Sequence, residues 1–213
     1  MTQKAIREEK SQKPERVQAI IRSAYEIMGR DGFVNVSMSD IAGEAGISKA
    51  LLHYYFKDKD ELVGEIYRFA MSEYLDIALS VLNAPLPIGE RIDRLIESFH
   101  VFIQKNPNWF TVVMELTILG LQNPNRKQEI FSQHVFIRDL TADVLRRAKR
   151  EGEFSLDIDE NVLASIMLAM ANGFAMSYSI AREATDTLSF FAYFKEMIMA
   201  LINPQGDKEK ARP

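Results

Sequence analysis

The chain has 213 residues, 47% of them hydrophobic and 26% charged, with 10 Gly, 7 Pro and no Cys. This composition excludes a disordered or collagen-like chain, and the missing cysteine excludes disulfides, thiolate metal sites, iron–sulfur clusters and thiol catalysis. The formal net charge of -4 and pI of about 5.5, read as averages, argue weakly against a nucleic-acid partner.

Residues 1–13 read as a flexible polar tail carrying Lys4, Arg7, Lys10 and Lys13. It lacks the apolar stretch of a secretory signal, so a cytoplasmic location is expected. Pro14 suits a helix start, and Val17, Ile20, Ile21, Ala24 and Met28 repeat at the spacing of one helical face. Gly32 reads as that helix's stop, with Phe33 placed for a hydrophobic contact beyond it. Ser37 and Asp40 form an S-x-x-D capping box, so a second helix is expected from Met38 to before Gly46. Ser48 can cap a third, short helix ending near Phe56, and Asp58 with Glu61 opens a long one.

A break at 83–89 (N-A-P-L-P-I-G) precedes a helical stretch with Ile92, Leu95, Ile96, Phe99, Phe102 and Ile103 on its apolar side. Asn106-Pro107 and Asn123-Pro124-Asn125 bracket a further apolar helix. An amphipathic stretch over 127–150 ends at Gly152, and two strongly apolar helices follow, over 162–181 and 188–202. The first of these runs 20 residues without a charge, long enough to span a bilayer. Its polar interior residues and acidic flank favour a helix buried in a soluble oligomer, with no membrane partner. Residues 204–213 read as a second flexible tail. No stretch alternates as a strand would, so the fold class is all-α with about nine helices. The division expected is a helix-turn-helix domain over 14–60 and a helical effector-binding and dimerisation domain over 61–203.

The segment 37–56 fits a helix-turn-helix. Ala42 is small where two helices cross, Gly46 can take the left-handed turn conformation, and Leu52 points inward from the second helix. In such a unit the second helix enters the major groove. Ser48, Leu51, Leu52, Tyr55 and Phe56 fall mainly on its inner side, and Lys49, Ala50, His53 and Tyr54 on its outer side. Ala50 permits close approach to DNA, Lys49 can reach a guanine edge or a phosphate, and His53, Tyr54 and Tyr55 suit phosphates or bases. Lys59 opens the long helix, where free amides already favour a phosphate.

The pattern S-x-x-x-I-A-x-x-A-G-I-S-x-x-x-L-x-Y-Y-F-x-x-K-x-x-L, from Ser37 to Leu62, resembles the tetracycline-repressor (TetR) family of bacterial transcription regulators, as do the preceding helix and its Asp31-Gly32-Phe33 turn. The resemblance covers roughly residues 14–62. It implies a homodimer on a palindromic double-stranded DNA operator, usually a repressor released by a small ligand. The DNA-contacting set expected is Ser37, Ser48, Lys49, Ala50, His53, Tyr54, Tyr55 and Lys59. The family usually has Gly at the position of Ala50 and Tyr at that of His53, departures that bear on operator identity. Charge agrees in sign: residues 1–59 hold ten Lys/Arg against eight Asp/Glu, the remainder 16 against 22.

Residues 88–203 carry no catalytic signature such as G-x-G-x-x-G, H-E-x-x-H or G-x-S-x-G, and the three histidines share no metal-ligand spacing. No enzyme activity, cofactor or metal is expected. Phe99, His100, Phe102, Trp109, Phe110, Met114, Phe131, His134, Met170 and Phe174 are candidates for lining a ligand pocket, with Glu115 and Asn172 as further polar anchors. Such a lining leans towards a hydrophobic or aromatic effector. Val162, Ile166, Ala169, Gly173, Phe191, Phe194 and Ile198 are candidates for the dimer interface, where two apolar helices paired across a twofold axis make a four-helix bundle.

Overall fold

The structure, a computed structural model, describes residues 15–153 and 158–202. The tails expected at 1–13 and 204–213 lie outside the described residues. Among the described residues nine α-helices follow one another: α1 (Glu15–Asp31), α2 (Met38–Glu44), α3 (Lys49–Tyr55), α4 (Lys59–Leu82), α5 (Ile88–Lys105), α6 (Trp109–Gln122), α7 (Pro124–Arg150), α8 (Glu160–Ile180) and α9 (Thr187–Ile202). Short 3-10 turns stand at Phe33–Asn35 and Arg182–Ala184. The all-helical reading holds throughout the described residues. The breaks come where proline, glycine or a capping side chain ends the helical hydrogen-bond ladder.

Two compact units make up the chain. The first combines residues 15–75 with 106–133, so the helix-turn-helix region does not stand alone. It shares a core with α6 and the start of α7, in which Ile20, Ile21, Met28, Ile41, Leu52, Leu62 and Ile66 pack with Val112, Leu116 and Ile130. The spacing of α1's apolar residues accounts for its side of that core: Ile20, Ile21, Ala24, Ile27 and Met28 are all buried.

The second unit combines residues 76–105 with 134–153 and 158–202. Ile88, Ile92, Ala142, Leu145, Ala148, Leu163, Ala164 and Ile198 form its core. Arg91 is buried beside them, its guanidinium 3.6 Å from Glu153, which also accepts the Ile88 N–H at 2.7 Å. A buried cation needs such a carboxylate neighbour, because burial strips its hydration. Asp159 caps α8 by accepting from Asn161 N and Val162 N at 2.8 and 3.1 Å, bonds that hold its carboxyl below the ordinary aspartate range.

Among the described residues α8 is the helix long and apolar enough to cross a membrane. Within the protomer, only 22% of its most apolar 18-residue window is buried. Leu163, Ala164, Phe174, Ala175 and Tyr178 face inward, and Val162, Ile166, Met176 and Ile180 are exposed. The burial on all sides expected for this helix is therefore not reached within one chain.

Candidate nucleic-acid interface

Helix α2 starts where the sequence places it. Ser37 Oγ accepts from Asp40 N at 3.3 Å, and Asp40 Oδ2 accepts from Ser37 N at 2.8 Å and from Ser37 Oγ at 2.6 Å. The hydroxyl and backbone bonds from Ser37 together hold the Asp40 carboxyl below the ordinary aspartate range. They also occupy the one proton of the Ser37 hydroxyl, which must turn away from Asp40 to donate to a phosphate.

The turn between α2 and α3 pivots on Gly46, whose φ of 64° is a conformation that disfavours any side chain. Ile47 N donates to Ala42 O at 2.9 Å, and Ala42 is only 3% exposed, which brings the two helices close. Ser48 caps α3 by accepting from Leu51 N at 3.1 Å. Its side is exposed, not inward as the face assignment expects, because a capping residue stands outside the helical wheel it starts.

Leu52 is fully buried and Phe56 is 3% exposed, so they fix α3 to the core. Lys49, Ala50, His53 and Tyr54 are all exposed, and Tyr55 is half-buried. Tyr54 is 80% exposed and packs edge-on against Tyr55, with ring centres 5.2 Å apart. An aromatic ring held this far out gains little from burial, which sets it apart from the core aromatics of the same unit.

Lys59 is fastened inward at its tip. Its Nζ donates to Phe33 O at 2.7 Å and to Val36 O at 2.5 Å, and lies 3.9 Å from the Phe33 ring centre. Burial lowers its pKa, partly offset by the charge of Asp40. An ammonium has three N–H donors, so one is left for a phosphate. Residue spacing alone carries no sign of this fastening, because its partners lie 23 and 26 positions away.

The structural surroundings match known proteins. Residues 20–66 match the family described as bacterial regulatory proteins, tetR family. Over this segment the chain carries the helix-turn-helix of the TetR family. The regulator UidR of Escherichia coli (strain K12) is 26% identical over 169 residues, covering 78% of this chain and 84% of the relative. BetI of Brucella abortus (strain 2308) is 24% identical over 199 residues, covering 92% and 96%. Two solved structures share the fold. A TetR transcription regulator from Haloarcula marismortui has a TM-score of 0.75 at 19% identity, covering 89% of this chain and 97% of its own. A transcriptional regulator from Saccharomonospora viridis, solved in complex with choline, has a TM-score of 0.74 at 22% identity, covering 86% and 95%. TetR-family proteins are DNA-binding transcriptional regulators rather than enzymes, and residues 20–66 match their DNA-binding helix-turn-helix.

The residues expected to line a pocket are divided between the units. In the first unit, Trp109 donates from Nε1 to Ala70 O at 2.7 Å and stands 5.2 Å from Phe110, both in the core, while Phe131 is 59% exposed. Met114 is half-buried. In the second, Phe102 is buried, Met170 half-buried and His134 exposed. Phe99 packs on Phe191 at 5.4 Å, and Phe174 stacks on Phe190 at 4.2 Å. His100 Nε2 faces Gln104 at 2.8 Å, and its Nδ1 is buried without a partner among the described residues. Glu115, expected as a polar anchor, binds the Phe33 backbone N–H instead.

Of the interface candidates, Val162, Ile166, Ala169 and Gly173 are exposed, and Phe191 and Phe194 half-buried. Ile198 is 1% exposed and belongs to the protomer's own core, because it packs inward against α5 and α8 residues.

Proposed function

We propose that this regulator is a repressor that binds a palindromic operator as a homodimer and is released by a small hydrophobic or aromatic ligand. The observation that carries the DNA-reading part is the sorting of α3: Leu52 fully buried on one side, Lys49, Ala50, His53 and Tyr54 exposed on the other. Lys49 and Tyr54 read base edges, and Ser37, Ser48, His53, Tyr55 and the remaining donor of Lys59 bind phosphates. Residues 14–60 act as the DNA-binding part and residues 61–203 as the effector and dimerisation part, in the cytoplasm.

The exposed apolar residues of α8 and α9 support dimerisation. Val162 and Ile166 on α8, with Leu188 and Tyr193 on α9, are large, apolar and unburied in the single chain. Pairing these helices with those of a second copy gives a four-helix interface. The aromatic residues of the second unit, with His100 as a polar anchor, support an apolar effector. A regulator of the same fold from Saccharomonospora viridis was solved in complex with choline, so this fold can hold a small molecule. Gel shift against the DNA upstream of the protein's own gene tests the reading: a discrete complex that resists competitor DNA is expected, and its absence there and on selected DNA refutes it.

A further inference from the structure

Glu115 stands on α6, outside the helix-turn-helix, yet its Oε2 accepts the Phe33 N–H at 3.1 Å. The carbonyl of the same residue accepts from Lys59 at 2.7 Å. The turn that leads into α2 is thus held at its N–H by α6 and at its carbonyl by α4. The segment leaving α3 is held from the same side. Asn123 Nδ2 and Arg126 Nε donate to Asp60 Oδ1 at 2.9 and 3.1 Å, and Arg126 also donates to the Asp60 carbonyl. Gly64 makes the seat for this guanidinium, since a Cβ there would stand 1.7 Å from the Arg126 Nη1. Entry to and exit from the helix-turn-helix are therefore both attached to α6 and the start of α7.

We propose that Glu115 is a positioning residue for operator recognition: it sets the entry turn of the helix-turn-helix from α6 and so fixes the angle at which α3 is presented. The proposal rests on the reading of α3 as the DNA-contacting helix. A backbone N–H at the start of a turn has no partner within the turn, so its acceptor decides where the turn sits. A carboxylate makes that bond strong and directional. Removing a negative charge would by itself favour a polyanion, so a loss of DNA affinity in a Glu115 variant reports the lost bond and not the lost charge.

The test uses a duplex enriched from random DNA by the wild-type full-length protein, and a scrambled duplex of the same composition. That enrichment tests the DNA reading itself, and the variants test the role of Glu115. Glu115→Ala is expected to lose about tenfold in affinity for the enriched duplex while binding the scrambled one within about twofold of wild type. Glu115→Gln keeps an acceptor and is expected to stay within about threefold on both. Wild-type affinity in Glu115→Ala, equal losses on both duplexes, or Gln failing as badly as Ala overturns the proposal. Amide exchange of the wild-type protein covers the case in which Glu115→Ala does not fold. Coupling is reciprocal, so adding the enriched duplex should slow exchange of the Phe33 N–H by about tenfold. Unchanged exchange of that amide overturns the proposal.

Discussion

Lys59 and Phe33 lie 26 positions apart and hold each other: the lysine Nζ donates to the Phe33 carbonyl at 2.7 Å and sits 3.9 Å from the centre of its ring. The residue that the sequence offers as a phosphate contact is thereby also a brace for the turn before α2. The phosphate role predicts that Lys59→Ala weakens binding to every DNA sequence, and the brace role that it weakens binding mainly to the operator. Only the phosphate role changes the number of counterions released. The slope of log affinity against log salt is expected to fall by about 0.9 for each lysine lost. Weakened binding with an unchanged slope would leave Lys59 as a brace alone.

The outer face of α3 predicts a different response. Lys49→Ala and Tyr54→Phe should alter which bases are preferred, each at a defined position of each half-site, by about 1–3 kcal/mol. Selection from random duplexes with each variant reads this directly. An unchanged preference would move the residue from base edge to backbone.

These assignments show how far the sequence reaches. Capping residues and apolar spacing act within one or two turns, so Ser37, Asp40, Ser48 and Leu52 reveal α2, α3 and the inner face without any tertiary knowledge. The bonds Glu115 to Phe33 and Arg126 to Asp60 span 82 and 66 positions. Nothing in local periodicity marks them, and Glu115 reads in isolation as a polar anchor for a ligand. Ile198 shows the same limit: an apolar helix offers two faces, and only packing against α5 and α8 decides which one is core.

Leu52→Ala should cost about 2–5 kcal/mol of stability, because Leu52 is fully buried and its removal leaves a cavity between α3 and the core. Urea unfolding followed by circular dichroism measures the change. A loss below about 1 kcal/mol would mean that α3 is held by its caps and turn rather than by this side chain.

The capping box gives a pH signature. The Asp40 carboxyl is held below its ordinary value of 3.8 by the Ser37 hydroxyl and backbone N–H. A carboxylate with a lowered pKa in the fold stabilises it fully above the unfolded pKa, and the contribution fades as pH falls through the folded one. The stability gap between wild type and Asp40→Asn should therefore be constant from pH 5 to 7 and shrink below about pH 4. A gap that persists unchanged at pH 2 would contradict the assignment.

For the dimer, Ile166→Glu places a charge on the exposed face of α8 and should shift the protein to monomer at micromolar concentration in analytical ultracentrifugation. Ile198→Ala should leave the dimer mass intact and lower stability by about 2–5 kcal/mol, since Ile198 is core. The opposite pattern would relocate the interface.

Operator reading as proposed requires two copies of α3 related by a twofold axis. The most direct measurement is selection of duplexes from random DNA by the wild-type protein, repeated with Lys49→Ala. An enriched site made of two inverted half-sites is expected, about 10–10.5 base pairs or a multiple of that apart between centres, with Lys49→Ala relaxing the same position in each half. Enrichment of no sequence, or of a site that Lys49→Ala leaves unchanged along with Tyr54→Phe, would contradict it.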